Sequence, residues 1–178
     1  MALALEGATI GPMRLADVAA IADIDRRCYP VPWDPHAYVT ELGNRSACYL
    51  VAHVRGEIVG YAGMWVVMDE AHITTLAVSP QHRRRGIGER LLVGLLEEAI
   101  WRGAVRASLE VRQHNHAAQA LYRKHGFRTA ALRKRYYSDN QENAIVMWVD
   151  DLGLESCTDR LRAARERLGV ISDACPRD

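Results

Sequence analysis

No apolar run in this chain of 178 residues approaches the length of about 18–20 residues that spans a bilayer as a helix. The opening Ala2-Leu3-Ala4-Leu5 is short and has no basic flank, so no signal peptide is expected. The four cysteines, Cys28, Cys48, Cys157 and Cys175, form no close pair and no metal-ligand spacing. They read as reduced thiols of a cytoplasmic protein, which excludes a disulfide-dense miniprotein. Internal repeats and low-complexity segments are also missing. What is present is ordinary for a globular chain, with 49% apolar and 25% charged residues. The length fits one domain, or one plus an appendage.

The formal charge of +1 conceals an asymmetry. Residues 1–80 carry five Arg against nine Asp and Glu, and residues 81–178 carry eighteen Lys and Arg against thirteen Asp and Glu. A positive second half can face an anion, either a phosphate-bearing cofactor or a nucleic acid, and composition does not choose between them.

Thr9–Arg14 is a weak first strand. From Ala16, Val18, Ile21, Ala22 and Ile24 recur at helical spacing until the two prolines of Tyr29-Pro30-Val31-Pro32-Trp33 end the helix. Asp34-Pro35 starts a second short helix, with Asp34 as cap. Ala47–Val54 and Ile58–Val67 read as a hairpin around Arg55-Gly56-Glu57, and His72–Val78 as a further strand. Ile87–Trp101 is the longest periodic helix, with Ile87, Leu91, Leu92, Leu95, Leu96, Ala99 and Ile100 in one stripe and Gly103 as its stop. Val105–Val111 alternates apolar and polar residues. Asn115–His125 is helical, Phe127–Tyr137 and Ala144–Val149 form a closing antiparallel pair, and Thr158–Leu168 is an arginine-rich amphipathic helix. The order βααβββαβαββ plus a tail predicts an α/β sheet of mixed direction.

The most informative segment is Ser79-Pro80-Gln81-His82-Arg83-Arg84-Arg85-Gly86-Ile87-Gly88, where a strand stops and two glycines open the long helix. A helix start offers unpaired N–H groups and partial positive charge, and glycines let the backbone approach a bulky anion. The segment is neither a Walker loop nor a dinucleotide fingerprint, since the lysine of the first and the third glycine of the second are missing. An exposed basic turn with capping glycines is the bland alternative.

Leu76-Ala77-Val78-Ser79-Pro80 followed by Arg83-x-x-Gly86-x-Gly88 resembles the acetyl-CoA motif of the GNAT acyltransferase superfamily. Asn115-x-x-Ala118-x-x-Leu121-Tyr122-x-x-x-Gly126-Phe127 is similar to its second cofactor segment. The resemblance spans about residues 9–150. It implies residues 1–150 as the acetyltransferase domain and 151–178 as a partly helical C-terminal extension. The implied fold is a central mixed, mostly antiparallel sheet, splayed at its fourth and fifth strands, with helices on both faces. It also implies acetyl-CoA as donor and no metal. Backbone around Arg83, Arg84, Arg85, Gly86, Ile87, Gly88 and Glu89 would hold the phosphates, and the strand Leu76, Ala77, Val78 the pantetheine arm. Asn115 and Tyr122 complete that set.

Glu110, on the polar face of the alternating strand, is either a solvated carboxylate beside Arg112 or a general base. Transfer from a thioester requires a neutral amine, and a carboxylate can remove the remaining proton. Tyr122 lies nearly two helical turns after Asn115 and is either a core tyrosine or the acid that protonates a leaving thiolate. Leu109-Glu110-Val111-Arg112-x-x-Asn115, Val31-Pro32-Trp33, Asp69-Glu70-Ala71 and Arg133-x-x-Tyr136-Tyr137 resemble the RimI-type branch of ribosomal-protein-alanine N-acetyltransferases. That resemblance implies Glu110 as base and Tyr122 as acid, with Trp33, Tyr136 and Tyr137 confining an extended protein N-terminus. The acceptor it implies is the alanine of a small-subunit ribosomal protein, with no membrane and no direct nucleic-acid contact.

Three alternatives stay open. A lysine side chain or a small-molecule amine is the rival acceptor, and a non-catalytic acyl-CoA sensor keeps the fold without the activity. The arginine patches at 83–85 and 133–135 would serve a nucleic-acid-binding module, although no aromatic-interleaved RNA motif accompanies them. His114, His116 and His125 read as surface or capping histidines, since no cysteine or carboxylate completes a ligand pattern. The sequence sets no oligomeric state.

Overall fold

The computed structural model describes residues 7–169 and the backbone of a two-residue strand, Ile171–Ser172. The opening Ala2-Leu3-Ala4-Leu5 and Cys175 lie outside the described residues. β1 (Thr9–Pro12) and a single 3-10 turn lead into α1 (Val18–Cys28) and α2 (Pro35–Leu42). β2 (Ala47–Val54), β3 (Glu57–Val67) and β4 (Glu70–Val78) form a meander, and α3 (Ile87–Trp101) carries the chain to β5 (Arg106–Arg112). α4 (His116–Lys124) then precedes the pair β6 (Arg128–Arg133) and β7 (Ala144–Val149), and α5 (Glu155–Leu168) precedes β8 (Ile171–Ser172).

All eight strands join one sheet in the order β6-β7-β5-β4-β3-β2-β1-β8. Neighbours are antiparallel except β4–β5 and β1–β8. The period-two alternation of β2 sends Leu50 and Ala52 to one face and Tyr49 and Val51 to the other. The first face packs under α3 and α5, where Leu91, Leu92 and Leu95 of α3 are wholly buried. The second packs under α1 and α2 through Ile21, Ile24 and Tyr38. α3 keeps the boundaries its apolar stripe predicts. The expected mixed, mostly antiparallel GNAT-like sheet with helices on both faces is what the chain forms.

One feature of the sheet makes a site. β4 and β5 pair only from Glu70↔Arg106 to Ile73↔Leu109. The register between β3 and β4 slips at Gly63/Met64, leaving Thr74 as the extra residue on β4. Such a bulge bends the strand that carries it. Past Ile73, β4 leaves β5, while β5 stays paired with β7 as far as Arg112. The sheet is therefore splayed at its fourth and fifth strands, as expected.

Several boundaries differ from the sequence reading for local reasons. β1 ends at Pro12, and the turn before α1 is 3-10, closed by the Asp17 carboxylate accepting the Arg14 backbone N–H at 2.7 Å. β6 stops at Arg133 and not at Tyr137, because the chain turns through Arg135 at φ 51°. α5 starts at Glu155, three residues before the expected Thr158, and β8 was not anticipated. The C-terminal helix is firmly docked. Cys157, Leu161, Ala164 and Leu168 are buried in the α3-side core.

Candidate active site

The splay opens a cleft of about 490 Å³ whose lining includes Leu76, Glu110, Asn115 and Tyr122, together with the aromatic residues Trp33, Tyr136 and Tyr137. Seven residues singled out from sequence thus meet in one place, although 104 positions separate Trp33 from Tyr137. Ala77, Val78 and the loop 83–89 do not line this cleft; they continue from the end of β4 to the start of α3.

Glu110 points from β5 into the cleft. Its partners are not Arg112 but His72, whose Nε2 lies 3.1 Å from Oε2, and Arg133, whose Nη1 lies 3.2 Å from Oε1. The hydrogen bond from His72 pulls its pKa below the ordinary carboxylate value, and the charges of His72 and Arg133 add to this against the opposing effect of burial. Glu110 is therefore ionised at neutral pH. Tyr122 is almost fully buried, its ring 5.7 Å from Phe127. Burial, followed by the neighbouring Tyr29 and Tyr137, raises its pKa well above that of an ordinary phenol. It keeps its proton.

The aromatic residues of the lining are braced by their neighbours. Tyr136 and Tyr137 meet edge to face at 5.2 Å, and the Arg112 guanidinium lies 3.9 Å from the centre of the Tyr137 ring. Arg112 is itself held by Asp139 at 2.8 Å and Glu142 at 3.1 Å. The hydrogen bond from the His114 backbone N–H, helped by Arg112, holds Glu142 at a pKa of about 2. The Trp33 backbone N–H donates to Asp25 at 2.6 Å, and Tyr61 donates to the other oxygen of the same carboxylate. Asp25, buried at 2% exposure, was missed by the sequence reading. It falls at the end of an apolar helical stripe, and nothing local marks it as the anchor of a loop eight residues on.

The loop after β4 has the shape an anion needs. Arg84 (φ 63°) and Gly86 (φ 74°) are both in the left-handed region, and Gly86 caps α3. Such turns gather successive N–H groups into a concave nest, and the opening N–H groups of α3 have no carbonyl a turn earlier to bond. Arg83 turns inward, donating to the Val78 carbonyl at 3.1 Å. The Leu76 carbonyl accepts from the Tyr29 hydroxyl at 2.9 Å. An amide ligand along β4 would use the second lone pair of these oxygens. The Glu89 side chain faces away from the loop to Lys124, His125 and Arg167. Asn115 caps α4, its Oδ1 accepting the Ala118 N–H at 3.1 Å. His114 bonds Glu142, and His125 ends α4 as a buried side chain rather than a surface one.

Residues 18–127 match the acetyltransferase (GNAT) family. The chain belongs to that family. It is an acyltransferase of the GNAT type. A Bacillus subtilis relative, named as a candidate ribosomal protein bS18-alanine N-acetyltransferase, is 41% identical over 80% of this chain and 95% of its own length. The crystal structure of the ribosomal-protein-S18-alanine N-acetyltransferase of Escherichia coli aligns with a TM-score of 0.75 at 33% identity, covering 82% of this chain and 94% of that one. The Salmonella typhimurium protein YncA, solved with its cofactor acetyl-CoA, shares the fold at a TM-score of 0.71 and 22% identity, covering 81% of this chain and 94% of its own. Among the described residues, no helix is long and apolar enough to cross a membrane.

Proposed function

We propose that this GNAT enzyme acetylates the N-terminal α-amine of a protein, with acetyl-CoA as donor and the alanine of a small-subunit ribosomal protein, the S18 class, as acceptor. The observation that carries the reading is the meeting of Glu110 and Tyr122 in one cleft with Trp33, Tyr136 and Tyr137. The names of the relatives point to the same acceptor.

The donor fits the residues present. The left-handed turn at Arg84 and Gly86 and the opening amides of α3 would hold its phosphates, with Arg83, Arg84 and Arg85 adding positive charge. The free edge of β4 at Leu76, Ala77 and Val78 would run beside the amide-bearing arm. Bound there, the donor supplies an activated acetyl group on a thioester sulfur. No metal belongs in this reading.

Glu110, ionised and facing the cleft, takes the proton of the entering amine. Its lowered pKa makes it a modest base, which suits an α-amine with an ordinary pKa of about 8 better than a lysine at about 10.4. Deprotonating the lysine would require roughly 3 kcal/mol more. Tyr122 keeps its proton across the neutral range, so its hydroxyl would be available to donate a hydrogen bond to the departing thiolate and to supply its proton. Trp33, Tyr136 and Tyr137 grip an extended backbone and leave a narrow slot for a small first side chain.

Peptides of the form Ala-X-X, with the N-terminus free or blocked and with or without an internal lysine, test this reading by mass spectrometry of the acetylated products. Turnover confined to free N-termini is expected. Turnover on the blocked, lysine-bearing peptide alone would overturn the α-amine reading in favour of lysine acetylation.

A further inference from the structure

Behind Glu110 the polar face of the β4–β5 pair continues as a connected row. His72 and Ser108 are register partners on these parallel strands. The His72 ring has Nε2 at 3.1 Å from Glu110 Oε2 and Nδ1 at 2.9 Å from Ser108 Oγ. The Ser108 hydroxyl lies in turn 3.2 Å from Glu70 Oε1, and Arg106 sits 3.6 Å from the other Glu70 oxygen. Ser108 is buried at 3% exposure, whereas the His72 side chain is 34% exposed. One end of the row faces the cleft and the other meets solvent.

The hydrogen-bond inventory limits the states this row can take. A serine has one O–H. Donated to Glu70, it leaves Oγ to accept from Nδ1–H of His72. The Nε2 position then carries either a lone pair turned toward Glu110 or a second N–H donated to it. In the second state the ring is an imidazolium bonded at both nitrogens, with carboxylates on two sides. Arg133 and Arg106 are the cations nearby, each bound to one of those carboxylates. Trp65, the register partner of His72 on β3, brings no charge.

Resting on the proposed reaction at Glu110, we propose that His72 is the residue that finally holds the proton removed from the amine. With the ring in its first state, Nε2 bare, Glu110 touches the amine and takes the proton, then hands it to the Nε2 lone pair of His72. The amine N–H bond is broken, an Nε2–H bond is made, and Glu110 begins and ends the step as a carboxylate. The imidazolium then gives its Nδ1 proton to Ser108 as the Ser108 hydroxyl proton passes to Glu70, whose partly exposed carboxyl releases it to water. Of the pair, His72 is the more open to solvent, with 34% of its side chain exposed against 13% for Glu110. His72 acts through Glu110 and not on the substrate, so it is a positioning residue for the base.

The test is the pH profile of kcat on a free Ala-X-X peptide from about pH 6 to 9, for the wild type, His72→Gln and Ser108→Ala. Acetyl-CoA affinity by calorimetry and the melting temperature control for folding. His72→Gln keeps an amide at hydrogen-bonding reach but cannot take up a proton. Its kcat is expected to fall about 10²-fold at pH 7. The deficit should narrow to a few-fold near pH 9, where the α-amine loses its proton unaided. Added imidazole should restore part of the activity of His72→Ala. A deficit constant across pH, with no imidazole rescue, would make His72 merely structural and overturn the inference while leaving the proposed reaction intact. A folded, acetyl-CoA-binding wild type that leaves the free peptide untouched would instead overturn the proposed function, and this inference with it. Ser108→Ala removes the oxygen behind Nδ1 and answers in case a His72 variant does not fold. A pH-dependent loss in Ser108→Ala supports the row, and a pH-independent one overturns it.

Discussion

Glu89 and Glu110 are both largely buried carboxylates surrounded by basic side chains, and the fold uses them in opposite ways. Glu89, in the first turn of α3, receives Lys124 at 2.8 Å, His125 at 2.9 Å and Arg167 at 2.7 Å, from α4, the end of α4 and α5. Burial alone would raise its pKa, but the bonds from Arg167, Lys124 and His125 outweigh burial and hold it at about 2. Glu110 has two partners, and its carboxylate lines an open cleft. The more strongly shifted acid ties three helices together, and the less shifted one faces substrate. A perturbed carboxylate marks a reactive site only where a cleft gives something access to it.

The largest effect that separates the two comes from Glu110→Gln. Removing a general base is expected to lower kcat about 10²–10⁴-fold on a free N-terminal peptide. Acetyl-CoA affinity should barely move, and the fall in melting temperature should be smaller than that of Glu89→Gln. A stopped assay and calorimetry on the same preparation check both halves. Full activity would place the base elsewhere. Tyr122→Phe should lose about 10²-fold, at the lower end of that range. Its deficit should shrink when the donor carries a more acidic leaving thiol, because a better leaving group needs less help from the phenol.

Glu89→Gln should reverse the pattern, with kcat nearly unchanged and stability reduced. The carboxylate pKa is lowered in the fold, from 4.5 to about 2. Its contribution is therefore present above the unfolded value and lost as pH falls from about 4.5 through 2. About 2–3 kcal/mol is expected at pH 7 by denaturant titration. The wild-type and variant stability curves should converge only below about pH 2. Curves that stay parallel into acid would mean that Glu89 contributes by packing and not by charge.

The contrast was half visible in the sequence. The long stripe Ile87–Trp101, the alternation of β5 and the two glycines at its helix start are local signals, and each marks an element that forms where expected. The convergence of Trp33, Glu110, Tyr122 and Tyr136–Tyr137 was legible through the order of motifs rather than through any one of them. What stayed hidden was pairing across the sheet and between helices. His72 meets Glu110 38 positions later, and Glu89 meets Arg167 78 positions later; no periodicity links either pair. The start of α5 was missed because its cap is Leu154, which makes no side-chain capping bond. The extent of β6 was overread because an apolar-to-aromatic run does not show that Arg135 turns through a positive φ.

The smallest expected effect tests how α5 is held on α3. Arg167 reaches Glu89 at 2.7 Å, but its side chain is 49% exposed, so solvent screens most of the attraction. Leu161, Ala164 and Leu168 on the same helix are buried and supply most of the docking energy. Arg167→Ala should therefore cost about 1 kcal/mol or less, a fall of roughly 2–4 °C in Tm. High salt should reduce the difference. The informative measurement is the double variant with Glu89→Gln. If the arginine acts through the carboxylate, its removal should cost little once Glu89 is neutral, and the two losses will not add. Additive losses would show that Arg167 contributes through its stem lying on α3, and that the buried face of α5 docks the helix without this ion pair.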